Sequence, residues 1–98
     1  VIDDTLYEIS CVMNYVNYIK DQIKRLKTIQ KYSKKMESSK KASTRDYYKA
    51  GMQLLLQPGE NFDNYTQVLA EYENALVIRQ DRIDKLYDEI KIIKKLKI

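Results

Sequence analysis

The residue types that usually carry catalysis or bind metals are nearly absent from this 98-residue chain. It has no histidine and a single cysteine, Cys11, so it lacks the residues for a zinc site and for Ser/His/Asp or Cys/His nucleophiles. The lone cysteine also excludes an intrachain disulfide and favours a reducing compartment. Paired carboxylates could still perform acid–base chemistry, but the acids fall where solvated helix faces would place them. We therefore expect a non-enzymatic protein without cofactor or metal.

Basic residues form the second chemically informative group, and they cluster in the middle of the chain. Residues 20–49 contain eleven Lys and Arg and three acids, whereas residues 60–89 contain eight acids and three bases. The pI of about 9.1 favours nucleic acid or an anionic membrane as a partner. If the chain folds back on itself, however, the basic block faces the acidic block. Only the lysines near the bend are then free to contact an anionic surface: Lys34, Lys35, Lys40 and Lys41.

Heptad spacing of apolar residues predicts that long helices position these side chains. From Ile2 to Ile23, β-branched residues recur every seven positions, with a second set three residues after each. The pattern returns from Phe62 to Ile93 and is interrupted by Arg79. We interpret Arg79 as a snorkelling side chain, with a register-fixing role as the alternative. The predicted packing seam consists of Ile9, Val16, Ile23, Leu76, Ile83 and Ile90.

Local breaking signals divide the chain into helices. Pro58 followed by Gly59 predicts a corner, because proline disfavours helix at the preceding residue and glycine tolerates positive φ. Ser43 fits a helix N-cap, and Asn61 or Asp63 can cap the next helix. The predicted elements are a long helix, a short helix, a turn and a second long helix, at residues 1–37, 43–56, 57–61 and 62–97.

The charge blocks predict an antiparallel hairpin within one all-α, coiled-coil-like domain spanning residues 1–98. A parallel dimer would set like charges against like, whereas a reversal at the proline corner sets basic against acidic and brings Ile19 close to Leu86. Two helices cannot enclose all the apolar residues that lie outside the seam. We expect the remainder to contact a second copy or a partner's helices: Leu6, Met13, Ile29, Val68, Ile78, Ile92 and Leu96.

Two stretches share a pattern with a known family: "NYIKDQIKRLKTIQKYSKKMESSKKASTRDYYKAGMQLLL" and, after a short break, "FDNYTQVLAEYENALVIRQ". Asp46, Tyr47, Gly51 and Leu54 match a D-Y-x-x-x-G-x-x-L segment. Residues 17–80 thus resemble the early part of sorting-nexin-type BAR domains, although a full BAR domain has three long helices. The resemblance implies a crescent-shaped dimer on a phosphoinositide-rich endosomal membrane, with the lysines near the bend contacting lipid.

These observations predict a helical interaction or assembly module that self-associates or docks on partner helices. The alternative is a BAR-type membrane-surface module of endosomal trafficking, and nucleic-acid binding ranks lowest. No apolar run approaches the ~18 residues that a membrane span needs. We therefore expect an intracellular protein, either cytoplasmic or peripheral to a membrane.

Overall fold

The computed structural model describes residues 2–96, which form three α-helices. Helix α1 spans Ile2–Ser38, α2 spans Ala42–Leu55 and α3 spans Tyr65–Leu96. Together they form a rod with principal-axis extents of 69 × 22 × 16 Å. The predicted all-α fold, with two long helices and a short helix between them, is confirmed. The predicted helix ends at residues 1 and 97 lie outside the described residues.

Side-chain pairs along the rod show that α3 runs antiparallel to α1. The rings of Tyr18 and Tyr72 lie 6.4 Å apart between centroids, and Arg82 donates to the Glu8 carboxylate at 2.7 Å. Position along α3 therefore rises as position along α1 falls. This register places the second half of α3 beside the first half of α1.

Helix α2 also runs antiparallel to α1, so the chain first reverses at residues 39–41. The Lys35 ammonium lies 5.8 Å from the centre of the Tyr48 ring, and Arg25 donates to the Leu55 carbonyl at 2.8 Å. The predicted reversal at the proline corner is therefore wrong in position. The reversal happens earlier because the apolar side of α2 packs back onto α1.

The segment around Pro58 is the return connection between α2 and α3. Gly59 has φ +85°, in the left-handed region that glycine adopts without a Cβ penalty, as the sequence predicted. Because this segment carries the chain back towards the end of α1, α3 begins beside Ser33 and Met36, which line a groove together with Tyr65.

The register that follows contradicts one expected contact. Ile19 packs in a cluster that contains Leu69, whereas Leu86 packs with Ile9 and Ile90. The predicted approach of Ile19 to Leu86 is therefore wrong. A hairpin that turned only at the proline corner would slide α3 further along α1 than the structure does.

Capping groups fix where α2 and α3 begin. Lys41 is the N-cap of α2, in an extended conformation and without a side-chain cap bond, so the prediction of Ser43 as the cap is wrong. Ahead of α3, the N–H groups of Asp63 and Asn64 both donate to Asn61 Oδ1 at 2.9 Å. Asn61 N–H donates in return to Asn64 Oδ1 at 2.8 Å. This reciprocal pair is a capping box that extends the helical turn ahead of Tyr65.

The core consists of two clusters along the rod. The smaller one, near the helix termini, contains Ile9, Leu86 and Ile90. The larger one, near the bend, is covered by all three helices and contains Ile19, Ile23, Leu26, Ile29, Met52, Tyr65 and Leu69. Close approach of α2 to α1 depends on Gly51, since a Cβ added there would lie 3.3 Å from the Tyr32 ring.

Candidate interaction surfaces

The predicted seam lies between α1 and α3. Leu76 is half-buried and packs against the larger cluster. The other five seam residues are buried: Ile9, Val16, Ile23, Ile83 and Ile90.

The predicted partner face does not form one surface. Ile29 is fully buried in the larger cluster, so its assignment to a partner face is wrong, because both α2 and α3 cover that side of α1. Val68 is half-buried against the same cluster. The remaining members are exposed, two on α1 and three on α3: Leu6, Met13, Ile78, Ile92 and Leu96.

A hydrogen-bonded knot joins the middle of α1 to the connection after α2. Arg25 Nη1 and Nη2 donate to the two carboxylate oxygens of Glu60 at 2.6 and 2.8 Å, and Nη1 also donates to the Leu55 carbonyl. The Gln22 side-chain oxygen accepts a bond from Arg25 Nε at 3.1 Å. The Arg25 hydrogen bond lowers the pKa of the Glu60 carboxyl below its ordinary value, and the same bond raises the pKa of Arg25. The knot is a structural ion pair.

One broad side of the hairpin, which we call the bridged side, carries polar contacts between α1 and α3. Glu8 accepts from Arg82, and this bond raises the pKa of Arg82. Arg79 places its guanidinium carbon 5.1 Å from the centre of the Tyr15 ring. Arg79 is exposed and meets an aromatic ring of α1, not an acidic partner.

The tyrosines of the bridged side and of α2 pack against one another. Tyr18 lies 6.1 Å from Tyr15 and also contacts Tyr72, and Tyr32 lies 5.8 Å from Tyr48 between ring centroids. The hydrogen bond with Tyr18 raises the pKa of Tyr72. These rings have aromatic neighbours within the chain, so they do not present a free platform for stacking nucleic-acid bases.

The opposite broad side, which we call the open side, has exposed apolar residues. Counting 3.6 residues per turn from the contact faces of α1 and α3 places two residues of each helix on it. They are Leu6 and Met13, which are 47% and 38% exposed, and Val77 and Tyr87, which are 68% and 49% exposed.

Two rows of charge also lie on the open side, each with the three- and four-residue spacing of one helix face. The lysine row is on α1 and consists of Lys20, Lys24, Lys27, Lys31 and Lys34, all exposed. The acidic row is on α3 and consists of Glu73, Asp81, Asp84 and Asp88, all exposed. Within residues 2–96, the only ion pair of either row is between Asp81 and Lys85 of the same helix.

The two rows occupy opposite halves of the rod, which corrects the expectation that α3 covers the basic block. Because Tyr72 lies beside Tyr18 and Arg82 beside Glu8, the acidic row runs along the first half of α1. The lysine row lies nearer the bend, where α1 is flanked by α2 and the start of α3. Of the whole basic block, only Arg25 is paired with a carboxylate among the described residues.

The lysines expected to contact an anionic surface lie at the bend. Lys34, Lys40 and Lys41 are exposed and have no ion pair within the described chain, whereas Lys35 lies over the Tyr48 ring. A groove of about 500 Å³ opens beside them where the three helices meet. Its lining is mainly apolar, with one acid and one base: Ser33, Met36, Glu37, Lys49, Met52, Phe62, Tyr65 and Thr66.

No protein family, curated protein or solved structure matches the chain. Among the described residues, no helix has the length and apolar character needed to cross a membrane. Within the same part of the chain, no three histidine, cysteine, aspartate or glutamate side chains are grouped so that they could hold a metal ion.

Proposed function

We propose that this chain is a non-enzymatic helical interaction module whose open side packs against other helices, in the first instance those of a second copy. The exposed apolar residues of the open side carry this proposal. In its terminal half the rod consists of two helices only, so Leu6 and Met13 have no third helix to cover them. Apolar side chains of this size gain about 1.5–3 kcal/mol each when fully buried, and a second layer of helices would bury them.

Sedimentation velocity over a concentration series tests the proposal. We expect the apparent mass to rise with concentration from monomer to dimer. The double variant Leu6→Gln/Met13→Gln should weaken association at least about tenfold, since it removes apolar surface without changing charge. The matched control is Leu54→Gln on α2, because Leu54 is 88% exposed but lies away from the open side. This control should leave association unchanged.

A monomeric mass at every concentration would overturn the proposal. An equal loss of association in the Leu6→Gln/Met13→Gln and Leu54→Gln variants would also contradict it, because the contact would then not involve the open side. Circular dichroism on each variant would show that the helices are retained.

Binding to an anionic membrane surface is the second candidate function, favoured by the unpaired lysines at the bend. Lys34, Lys40 and Lys41 are exposed and separate from the acidic row, and each lysine near an anionic bilayer contributes about 1 kcal/mol. Co-sedimentation with phosphatidylserine-containing vesicles, and its loss at high salt, would support this function. Equal sedimentation with neutral phosphatidylcholine vesicles would contradict it.

A further inference from the structure

Opposite charges are separated along the length of the rod on its open side. The lysine row spans residues 20–34 and the acidic row spans residues 73–88, so each is about 21–23 Å long at 1.5 Å per residue. The lengths match, and both rows alternate spacings of three and four residues. Such a stripe follows the 3.5-residue period along which two helices pack side by side.

Within one chain the two rows cannot meet. The contacts of Tyr18 with Tyr72 and of Glu8 with Arg82 fix the acidic row beside the first half of α1. The lysine row lies further towards the bend on the same helix. Each row therefore remains largely unpaired in the monomer and has a complement of the same length on another copy.

We propose that two copies associate through their open sides as antiparallel rods, with the lysine row of each against the acidic row of the other. A two-fold axis across the rod places the basic half of one copy over the acidic half of its partner, and symmetry repeats the contact. This inference rests on the proposed function, because it names the partner and the orientation of the same open side.

The apolar residues of the open side fit the same arrangement. Leu6 and Met13 continue the lysine row towards the start of α1 at seven-residue spacing, and Val77 lies within the acidic row. A second copy on this side would thus contact apolar and charged groups along one continuous strip. Charge pairs at an exposed interface determine orientation and encounter rate more than affinity.

A second copy accounts for the open side better than nucleic acid or a bilayer does. The acidic row on the same side would repel either polyanion over about half of the rod. The tyrosines contact one another and Arg79, leaving no stacking platform beside the lysines. A polyanion would also leave the acidic row without a partner.

Charge reversal tests this inference directly. The variant Lys24→Glu/Lys27→Glu/Lys31→Glu makes both rows acidic, and Asp81→Lys/Asp84→Lys/Asp88→Lys makes both rows basic. We expect each variant alone to associate at least about tenfold more weakly than the natural sequence. An equimolar mixture of the two should form a heterodimer, because the acidic rows of one then face the basic rows of the other.

The matched control is Lys40→Glu/Arg45→Glu/Lys49→Glu, which changes the net charge equally but lies outside both rows. It should associate like the natural sequence. Raising the salt from about 50 to about 500 mM should weaken the natural dimer, since the Debye length then shortens to a few ångströms.

The outcomes separate this inference from the proposed function. Association that both charge variants and salt leave unchanged would overturn the row-to-row contact and leave the packing of the open side standing. Failure of the mixed variants to form a heterodimer would also overturn the row-to-row contact. A lysine-row variant that keeps its self-association but loses binding to anionic vesicles or to a labelled oligonucleotide would assign that row to a polyanion. A chain that stays monomeric at low salt would overturn both proposals.

Discussion

The guanidinium of Arg25 and the carboxylate of Glu60, 35 residues apart in the chain, form two hydrogen bonds of 2.6 and 2.8 Å. The pair connects the middle of α1 to the segment that carries the chain from α2 to α3. Its side chains retain 13% and 8% exposure, so water solvates them poorly. Both sides of the return connection therefore depend on one ion pair.

Removing the carboxylate should destabilise the fold. We expect Glu60→Ala to lower the free energy of unfolding by about 2 kcal/mol, because Arg25 would lose a charged hydrogen-bond partner in a poorly solvated position. Urea denaturation followed by circular dichroism measures this. The matched control is Glu8→Ala, which breaks the exposed pair with Arg82 and should have little effect. Equal losses in the two variants would contradict a special role for the Arg25–Glu60 pair.

Acid should destabilise the protein through the same pair. The Arg25 hydrogen bond lowers the pKa of Glu60 in the folded state, so over the acidic range the unfolded chain binds more protons than the folded chain. The stabilisation is complete above the ordinary glutamate pKa and is lost as the pH falls through the lower folded value. Unfolding free energies measured against pH should fall less steeply in Glu60→Gln than in the natural sequence. The Glu8→Gln control should keep the natural slope, and a Glu60→Gln profile as steep as the natural one would contradict the prediction.

The start of α3 depends on Asn61 and not on Asp63. The Asn61 side chain accepts two backbone N–H bonds, whereas the Asp63 carboxylate accepts none within the described chain. We expect Asn61→Ala to cost about 1 kcal/mol and Asp63→Ala much less. Thermal unfolding of the two variants checks this, and a larger loss for Asp63→Ala would contradict the capping assignment.

Patterns that act within one helix could be predicted from the sequence. The heptads from Ile2 and Phe62 predicted both long helices, and the Pro58-Gly59 pair predicted a break with positive φ at Gly59. The reversal at residues 39–41 could not be predicted from local signals, because this segment contains neither glycine nor proline. It depends on Met52 of α2 packing into the core between α1 and α3.

The candidate surface depended on the same long-range register. The three- and four-residue spacing of the lysine row is visible in the sequence, but its lack of a partner is not. Only the position of Tyr72 beside Tyr18 shows that the acidic row lies along the other half of the rod. Charge blocks alone therefore predicted pairing within the chain that the register prevents.

The burial of Ile29 gives the last prediction, because the sequence placed this residue on a partner face and the structure places it in the core. Its side chain is fully buried among residues of all three helices. Ile29→Ala should therefore lower the free energy of unfolding by about 3 kcal/mol, through lost apolar burial and the cavity left behind. Leu54→Ala is the matched control, since an 88% exposed leucine leaves no cavity and should change stability by less than about 0.5 kcal/mol. Denaturant unfolding at a fixed low protein concentration keeps self-association out of the comparison. If Ile29→Ala instead kept the natural stability and lost only self-association, Ile29 would lie at a partner contact, and the three-helix core near the bend would be wrong.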